Sequence, residues 1–381
     1  MKFKKNRLIW QLWRAQAAII LIATMSGCFG GAVKPKPAEL QPVTALVAAR
    51  QTWTTRIGSV NFPLQTTVAA GTVAVASGEG VLALLDAQTG RDIWRLALNT
   101  PLAAGAGNDG KLTAVVTREN EVLAVQDGRE IWRHKLNAQA FTSPFVAGGR
   151  VFVLAADRSV SAFDGQSGAR LWTQQRPAEP LVLRQSGVML SVGDTLVVGL
   201  SGRMAGLNPT NGSVRWDFAL ASPRGINDVE RLVDLVGPVS RNGETVCARA
   251  YQASIGCVNA ARGSLLWTKP AGGVEGLTGD DRMLFGTESD GTVVTWRRSD
   301  GERAWTTDRL RYRSLTAPLL AGRSLVIGDR AGFIHLLSRE DGSLLNRLTT
   351  DGSAIAATPV LAGNTLVVAT RNGNVYGFQP E

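Results

Sequence analysis

The chain has 381 residues, 44% of them hydrophobic, with 42 glycines, ten tryptophans and a formal charge of +10. This is a globular composition, and nothing beyond about residue 50 reads as a disordered tract. Lys2, Lys4, Lys5, Arg7 and Arg14 all precede Cys28, in a stretch that holds no acid, so the rest of the chain carries only +5. Without a clustered basic stripe or exposed aromatic platforms, that mild charge argues against nucleic acid as a partner.

The basic start leads into the apolar run AAIILIATM, residues 17–25. That run is too short to span a bilayer and matches the core of a signal peptide. Met25-Ser26-Gly27-Cys28 follows and resembles the bacterial lipobox, in which small residues precede a cysteine that is lipidated and becomes the first residue after cleavage. Met25 stands where that pattern usually has leucine. The resemblance implies a signal peptide over 1–27 and several acyl chains on Cys28, enough for stable anchoring. Phe29 follows, not the aspartate associated with inner-membrane retention, so the anchor is expected in the outer membrane, facing the periplasm. The other reading is a secreted protein with an incidental cysteine. Residues 28–50 read as a Gly/Pro/Lys tether with a flexible reach of roughly 25 Å, and the folded part is expected over 51–381.

RQTWTTRIG, around Trp53, reads as an outer strand with no repeat ahead of it. The repeat itself begins with GVLALLDAQTGRDIW, ending at Trp94, and returns with ends at Trp132, Trp172, Trp216, Trp267, Trp305 and Asn346. A glycine stands four positions before each end: Gly90, Gly128, Gly168, Gly212, Gly263, Gly301 and Gly342. Each copy reads as two strands around a tight turn. Val81, Ala83 and Leu85 alternate with the period of a strand. Asp86, Asp164, Asn208 and Asn259 can hydrogen-bond the turn backbone, and the glycine takes positive φ cheaply. The closing tryptophan is placed to pack sideways on the next unit.

Successive ends recur at intervals of roughly 40 positions, the period of four-stranded propeller blades. Short strands at that period, with no amphipathic helical pattern between them, exclude a helical solenoid. An eighth copy ends at NVYGFQPE before any turn, and the strand it lacks is the one around Trp53. The fold class is therefore all-β: an eight-bladed β-propeller of four-stranded antiparallel blades, its ring closed by the N-terminal strand joining the C-terminal blade. Asn346 replaces the anchoring tryptophan and marks the expected weakest seam.

Two connections depart from the repeat. After Trp172, TQQRPAEPLVLRQSG places Leu181, Val182, Leu183 and Arg184 just ahead of an inner strand. Either the leucines extend that strand into the core, or they form an exposed apolar patch beside an arginine, the composition of a protein-binding hot spot. After Trp216 the chain runs on as far as Pro238 before the next inner strand is expected, well beyond the simple connection of the other blades. Asp228, Glu230, Arg231 and Asp234 there surround Val229, Leu232 and Val233, which reads as a charged, partly apolar projection or as a neutral insertion. Both departures flank the fourth blade and are candidates for one shared face. In the fifth blade, Cys247 and Cys257 are either bridged or two buried thiols. His134 and His335 lie in different blades without metal-ligand spacing, and there is no G-x-S-x-G, H-E-x-x-H or phosphate-binding loop. No catalytic residue, metal or cofactor is expected.

The blade motif resembles that of the eight-bladed pyrroloquinoline-quinone dehydrogenases, but this chain has no adjacent cysteine pair and none of their long insertions. Taken with the lipobox, the tether and the two departures, residues 28–379 resemble the BamB family, lipoproteins of the outer-membrane β-barrel assembly (BAM) complex. LVLR at 181–184 is similar to the family's Leu-x-Leu-Arg loop. DVERLVD at 228–234 is similar to its Glu-Ile-Asp-Arg-Leu-x-Asp segment, with Val236 where the family has a second acid. The resemblance implies a non-catalytic scaffold that binds a periplasmic POTRA domain of BamA. Leu181 and Leu183 would be apolar anchors, Arg184 a charged head, Asp234 an acceptor, with Asp228 and Arg231 beside them. It also implies contact with unfolded outer-membrane protein precursors. A reading of another class is a periplasmic propeller that binds cell-wall glycan or a small ligand in its central funnel.

Overall fold

Along Val81–Asp86 the side chains of Leu82, Ala83, Leu84 and Leu85 are all buried. Strict alternation would bury only one face; here both faces are covered, because each blade is sandwiched between two others. Alternation survives on the outermost strand, as in Asp92–Ala97. The computed structural model describes residues 35–176 and 181–381. The expected signal peptide, Cys28 and the first part of the tether lie outside the described residues.

Residues 38–381 contain eight four-stranded antiparallel sheets. The first blade is Thr67–Ala69, Thr72–Ala76, Val81–Asp86 and Asp92–Ala97, paired in that order from the axis outwards. The eighth takes three strands from the C-terminus, and its outer strand is Ala49–Arg56, paired with Asn374–Pro380. Trp53 lies opposite Gly377, where a Cβ would come 2.1 Å from the indole. The ring is shut by its own two ends, as the repeat count requires. Turns between second and third strands share one face with the connections between blades; this is the loop face.

One contact recurs at the seams. The indole N–H of Trp53 donates to the Ala87 carbonyl of the next blade at 3.1 Å. Trp132, Trp172, Trp216, Trp267 and Trp305 donate likewise to Gly165, Pro209, Ala260, Arg298 and Arg339 at 2.8 to 3.2 Å. Each acceptor directly follows the first residue of the turn. In the first blade that residue, Asp86, accepts from Gln88 and Thr89 N–H. Its hydrogen bonds from Thr89, side chain and backbone, hold the carboxyl below its usual range. Gly90 has φ +68°, and a Cβ on it would lie 2.4 Å from the Trp53 ring. Both the conformation and the space demand glycine.

The seam after the seventh blade is built differently from the expected weak point. The eighth blade has no turn there, since its outer two strands are the chain's two ends. Asn346 is 8% exposed and donates its amide to the Val47 carbonyl at 2.7 Å. The chain ahead of the closing strand thus takes the place of the missing turn. It is fastened further back too: Ala38 N–H donates to Arg311 O at 2.9 Å and Leu46 N–H to Leu345 O at 2.8 Å. Arg313, Arg323 and Arg347 donate to the carbonyls of Ala38, Leu46 and Gln41. Leu40 packs against the core of Phe285, Leu310, Leu325 and Leu337. Residues 38–48 are therefore not the flexible tether expected over 28–50; the fastened part begins at Ala38.

Cys247 and Cys257 lie directly opposite on adjacent strands and are joined by a disulfide with an S–S distance of 1.96 Å, fully buried. His335 is also buried and shares Asp329 with Arg313, at 3.1 and 2.7 Å. Burial works to raise the Asp329 pKa, but hydrogen bonds from His335, the Phe333 N–H and Arg313 prevail and hold it below its ordinary value. His134 packs on Phe163 with ring centroids 5.0 Å apart. Both histidines are strand residues of the scaffold.

Truncating a seam tryptophan should empty a packed, hydrogen-bonded site. Trp132→Ala is expected to cost about 3–5 kcal/mol, and Asn346→Ala, which loses the hydrogen bond to Val47 O and the local one from the Arg347 N–H, about 1–2 kcal/mol. Urea unfolding followed by circular dichroism measures both, and equal losses would contradict this account of the seams.

Candidate protein-binding site on the loop face

The two divergent connections meet. Arg158, in the turn between the middle strands of the third blade, is buried, and its guanidinium pairs with Asp234 at 2.5 Å while donating to Leu181 O at 3.0 Å. The second Asp234 oxygen accepts the Leu183 N–H at 2.8 Å. One arginine–aspartate pair thereby ties the third blade, the 181–184 loop and the entry to the fifth blade. A buried pair of this kind contributes little net stability, since desolvation offsets the attraction, but it fixes geometry.

This arrangement rules out the reading in which the leucines extend the inner strand. The inner strand of the fourth blade starts only at Met189, so Leu181 and Leu183 form no part of it. Leu181 is 40% exposed, Val182 and Leu183 are half-buried, and Arg184 is exposed with its guanidinium carbon 6.0 Å from the Phe141 ring centre. Beyond them the loop turns inwards: Gln185 donates to Val274 O at 2.8 Å and Gly187 N–H to Thr142 Oγ1 at 2.9 Å.

The second connection projects. Asn227 Oδ1 accepts the Glu230 N–H at 2.9 Å, and Glu230 Oε2 accepts the Ile226 N–H at 2.9 Å. That reciprocal pair closes a single tight turn carrying Asp228 and Val229 at its tip. Ile226 is fully exposed and Val229 is 72% exposed; Asp228 and Glu230 face solvent, and Arg231 is half-buried. Below the turn Val233, Leu235 and Val236 enter the core. The fifth blade's inner strand is Leu235–Asn242, so Pro238 sits within it, at a bulge between Val236 and Ser240.

Asp234 departs from the acceptor role implied for it. It is 6% exposed and both oxygens are engaged within the chain, so it shapes the loop rather than facing a partner. Sequence reasoning missed Arg158 and Ile226. Nothing local distinguishes Arg158, whose partners are remote in the chain, and Ile226 stands beside a Pro-Arg-Gly stretch that reads as plain loop.

The ring encloses a central channel of about 1140 Å³, lined among others by Gln65, Gln185, Glu275, Glu288 and, as its aromatic residue, Phe62. Burial pushes the Glu275 carboxyl up to about 7, against the pull of Arg249. Among the described residues no three His, Cys, Asp or Glu side chains gather as a metal site.

The family profile described as outer membrane protein assembly factor BamB matches residues 78–307, a stretch that includes both connections. The assembly factor BamB of Burkholderia pseudomallei is 38% identical over 369 residues, covering 96% of each chain. That of Bordetella pertussis is 34% identical, over 97% of this chain and 98% of its own. Among solved structures, BamB from Moraxella catarrhalis superposes with a TM-score of 0.79 at 22% identity, covering 87% of this chain and all of that one. A quinohemoprotein alcohol dehydrogenase from Comamonas testosteroni reaches 0.68 at 12% identity, over 87% of this chain and 76% of its own, a likeness of fold alone. With two near full-length relatives at 38% and 34% identity and a profile matching most of the ring, the chain belongs to the BamB family of outer membrane protein assembly factors.

Proposed function

We propose that this protein is a non-catalytic scaffold of the BAM complex, lipid-anchored through Cys28 in the outer membrane and facing the periplasm, that holds a POTRA domain of BamA on its loop face. The observation that carries this reading is the Arg158–Asp234 clamp, which sets two apolar, exposed connections side by side. Leu181 and Leu183 supply the anchors and Arg184 a charged hydrogen-bonding head, with Asp228 and Arg231 on the neighbouring turn. A patch with few hot spots suffices, because anchoring on one membrane raises the effective concentration of both partners. Unfolded precursors would meet the outermost strands, where Ile93, Leu171 and Leu266 are exposed beside free strand edges. A glycan in the central channel is the weaker reading: a sugar ring seeks aromatic faces, and Phe62 is the channel's aromatic residue and is itself buried.

Replacing Leu183 and Arg184 together by alanine should reduce capture of the purified periplasmic part of BamA at least about tenfold, with the circular dichroism of the propeller unchanged. Unaltered capture by the folded variant would remove this site.

Asp234→Ala tests the clamp apart from the contact. It frees the Leu183 N–H and leaves Arg158 buried without its countercharge, a change that costs about 3–5 kcal/mol in comparable pairs. Amide exchange should speed up over 181–185 while the blade cores stay protected, and capture should fall although Asp234 itself is buried. A variant with an ordered loop and full capture would show that the clamp is dispensable.

A further inference from the structure

The chain's fastening and its charge single out the same sector of the ring. Between Arg303 and Arg371 stand nine arginines, both ends counted, against five acids, nearly all of the excess positive charge that the chain carries beyond Cys28. Some of these guanidiniums serve the fold, as Arg313 does with Asp329 and Arg311 with Asp290 at 3.0 Å. Arg309, Arg330 and Arg371 do not: they are exposed and, among the described residues, lack an acidic partner. Arg309 lies in the connection leaving the sixth blade, and Arg330 and Arg371 lie in the middle turns of the seventh and eighth, all on the loop face. Three residues after Arg309 stands Tyr312, exposed, with φ +59° and the Arg311 guanidinium carbon 5.1 Å from its ring centre. An amphipathic ring among arginines is the composition of a surface that meets lipid headgroups.

The second observation is where the N-terminal segment leaves the ring. Running back from the closing strand, it crosses the seventh blade and reaches the loop face at Ala38, bonded to Arg311 and Arg313. From Ala38 back to Cys28 the chain reaches at most about 35 Å even fully extended. Were residues 38–48 free, that leash would double; docking them keeps this sector on the shorter one.

We propose that the loop face of the sixth to eighth blades rests on an anionic phospholipid surface through Arg309, Arg330, Arg371 and Tyr312, on the side of the ring away from the clamped loops. The proposal builds on the lipid-anchor reading of Cys28, and the two separate experimentally. The mature full chain, purified from membranes, is reconstituted into nanodiscs of phosphatidylcholine alone or with phosphatidylglycerol, and amide exchange is compared. Retention on neutral discs tests the anchor. Slower exchange over 308–314 and 329–332 on anionic discs, lost at high salt, is the expected result for the surface. The triple variant Arg309→Gln, Arg330→Gln, Arg371→Gln should lose that protection and at least about tenfold in affinity for anionic vesicles. A charge-matched variant on the opposite face, Arg91→Gln, Arg170→Gln, Arg262→Gln, should keep both. Equal exchange on the two kinds of disc would overturn the proposal, as would a triple variant that behaves like the parent or a patch protected only when an acidic protein is added. Loss of the chain from neutral discs, with salt-sensitive binding to anionic ones intact, would refute the anchor and leave the surface standing.

Discussion

An indole laid across a glycine turn, its N–H on the carbonyl beside that turn, is the contact the ring depends on. It joins a blade to its neighbour where no strand pairing can, since the backbone hydrogen bonds of each sheet run within a blade. It also demands two residue types at once, a large ring with one polar atom and a position with no side chain. That joint demand explains why tryptophan and glycine recur together at a near-constant spacing.

Where the demand cannot be met, the chain substitutes. The seventh blade faces no turn, only the backbone leading into the closing strand, and an indole there would have no cradle. A shorter amide fits the gap and keeps the hydrogen bond. Four side chains of that sector then hold the incoming segment by its carbonyls. The same substitution turns what reads as a loose leader into part of the scaffold, and so determines from which face the remaining leader departs.

The ring was legible because its rule is local and repeated: Gly90, Trp94 and their successors announce each blade, and the unfinished copy at Glu381 with the orphan strand at Trp53 announces the closure. The two connections after Trp172 and Trp216 were legible as exceptions to that rule. Their joining was not. Arg158 and Asp234 belong to different blades, and neither has a neighbour in sequence that betrays a partner, so burial and contact had to be seen in three dimensions. Asn346 misled for the opposite reason: judged against the repeat it is a defect, and only the position of Val47 shows what it bonds.

Closure by the termini has a consequence for biogenesis. Ala49–Arg56 is among the first parts of the ring to leave the ribosome and Asn374–Pro380 the last, and Thr52 bonds to Gly377 across 325 positions. Seven sectors can collapse in order as they emerge, but the circle cannot lock until Asn374–Pro380 has emerged. Any product ending early therefore keeps an unpaired flank open, a strand edge left ready to pair with another chain.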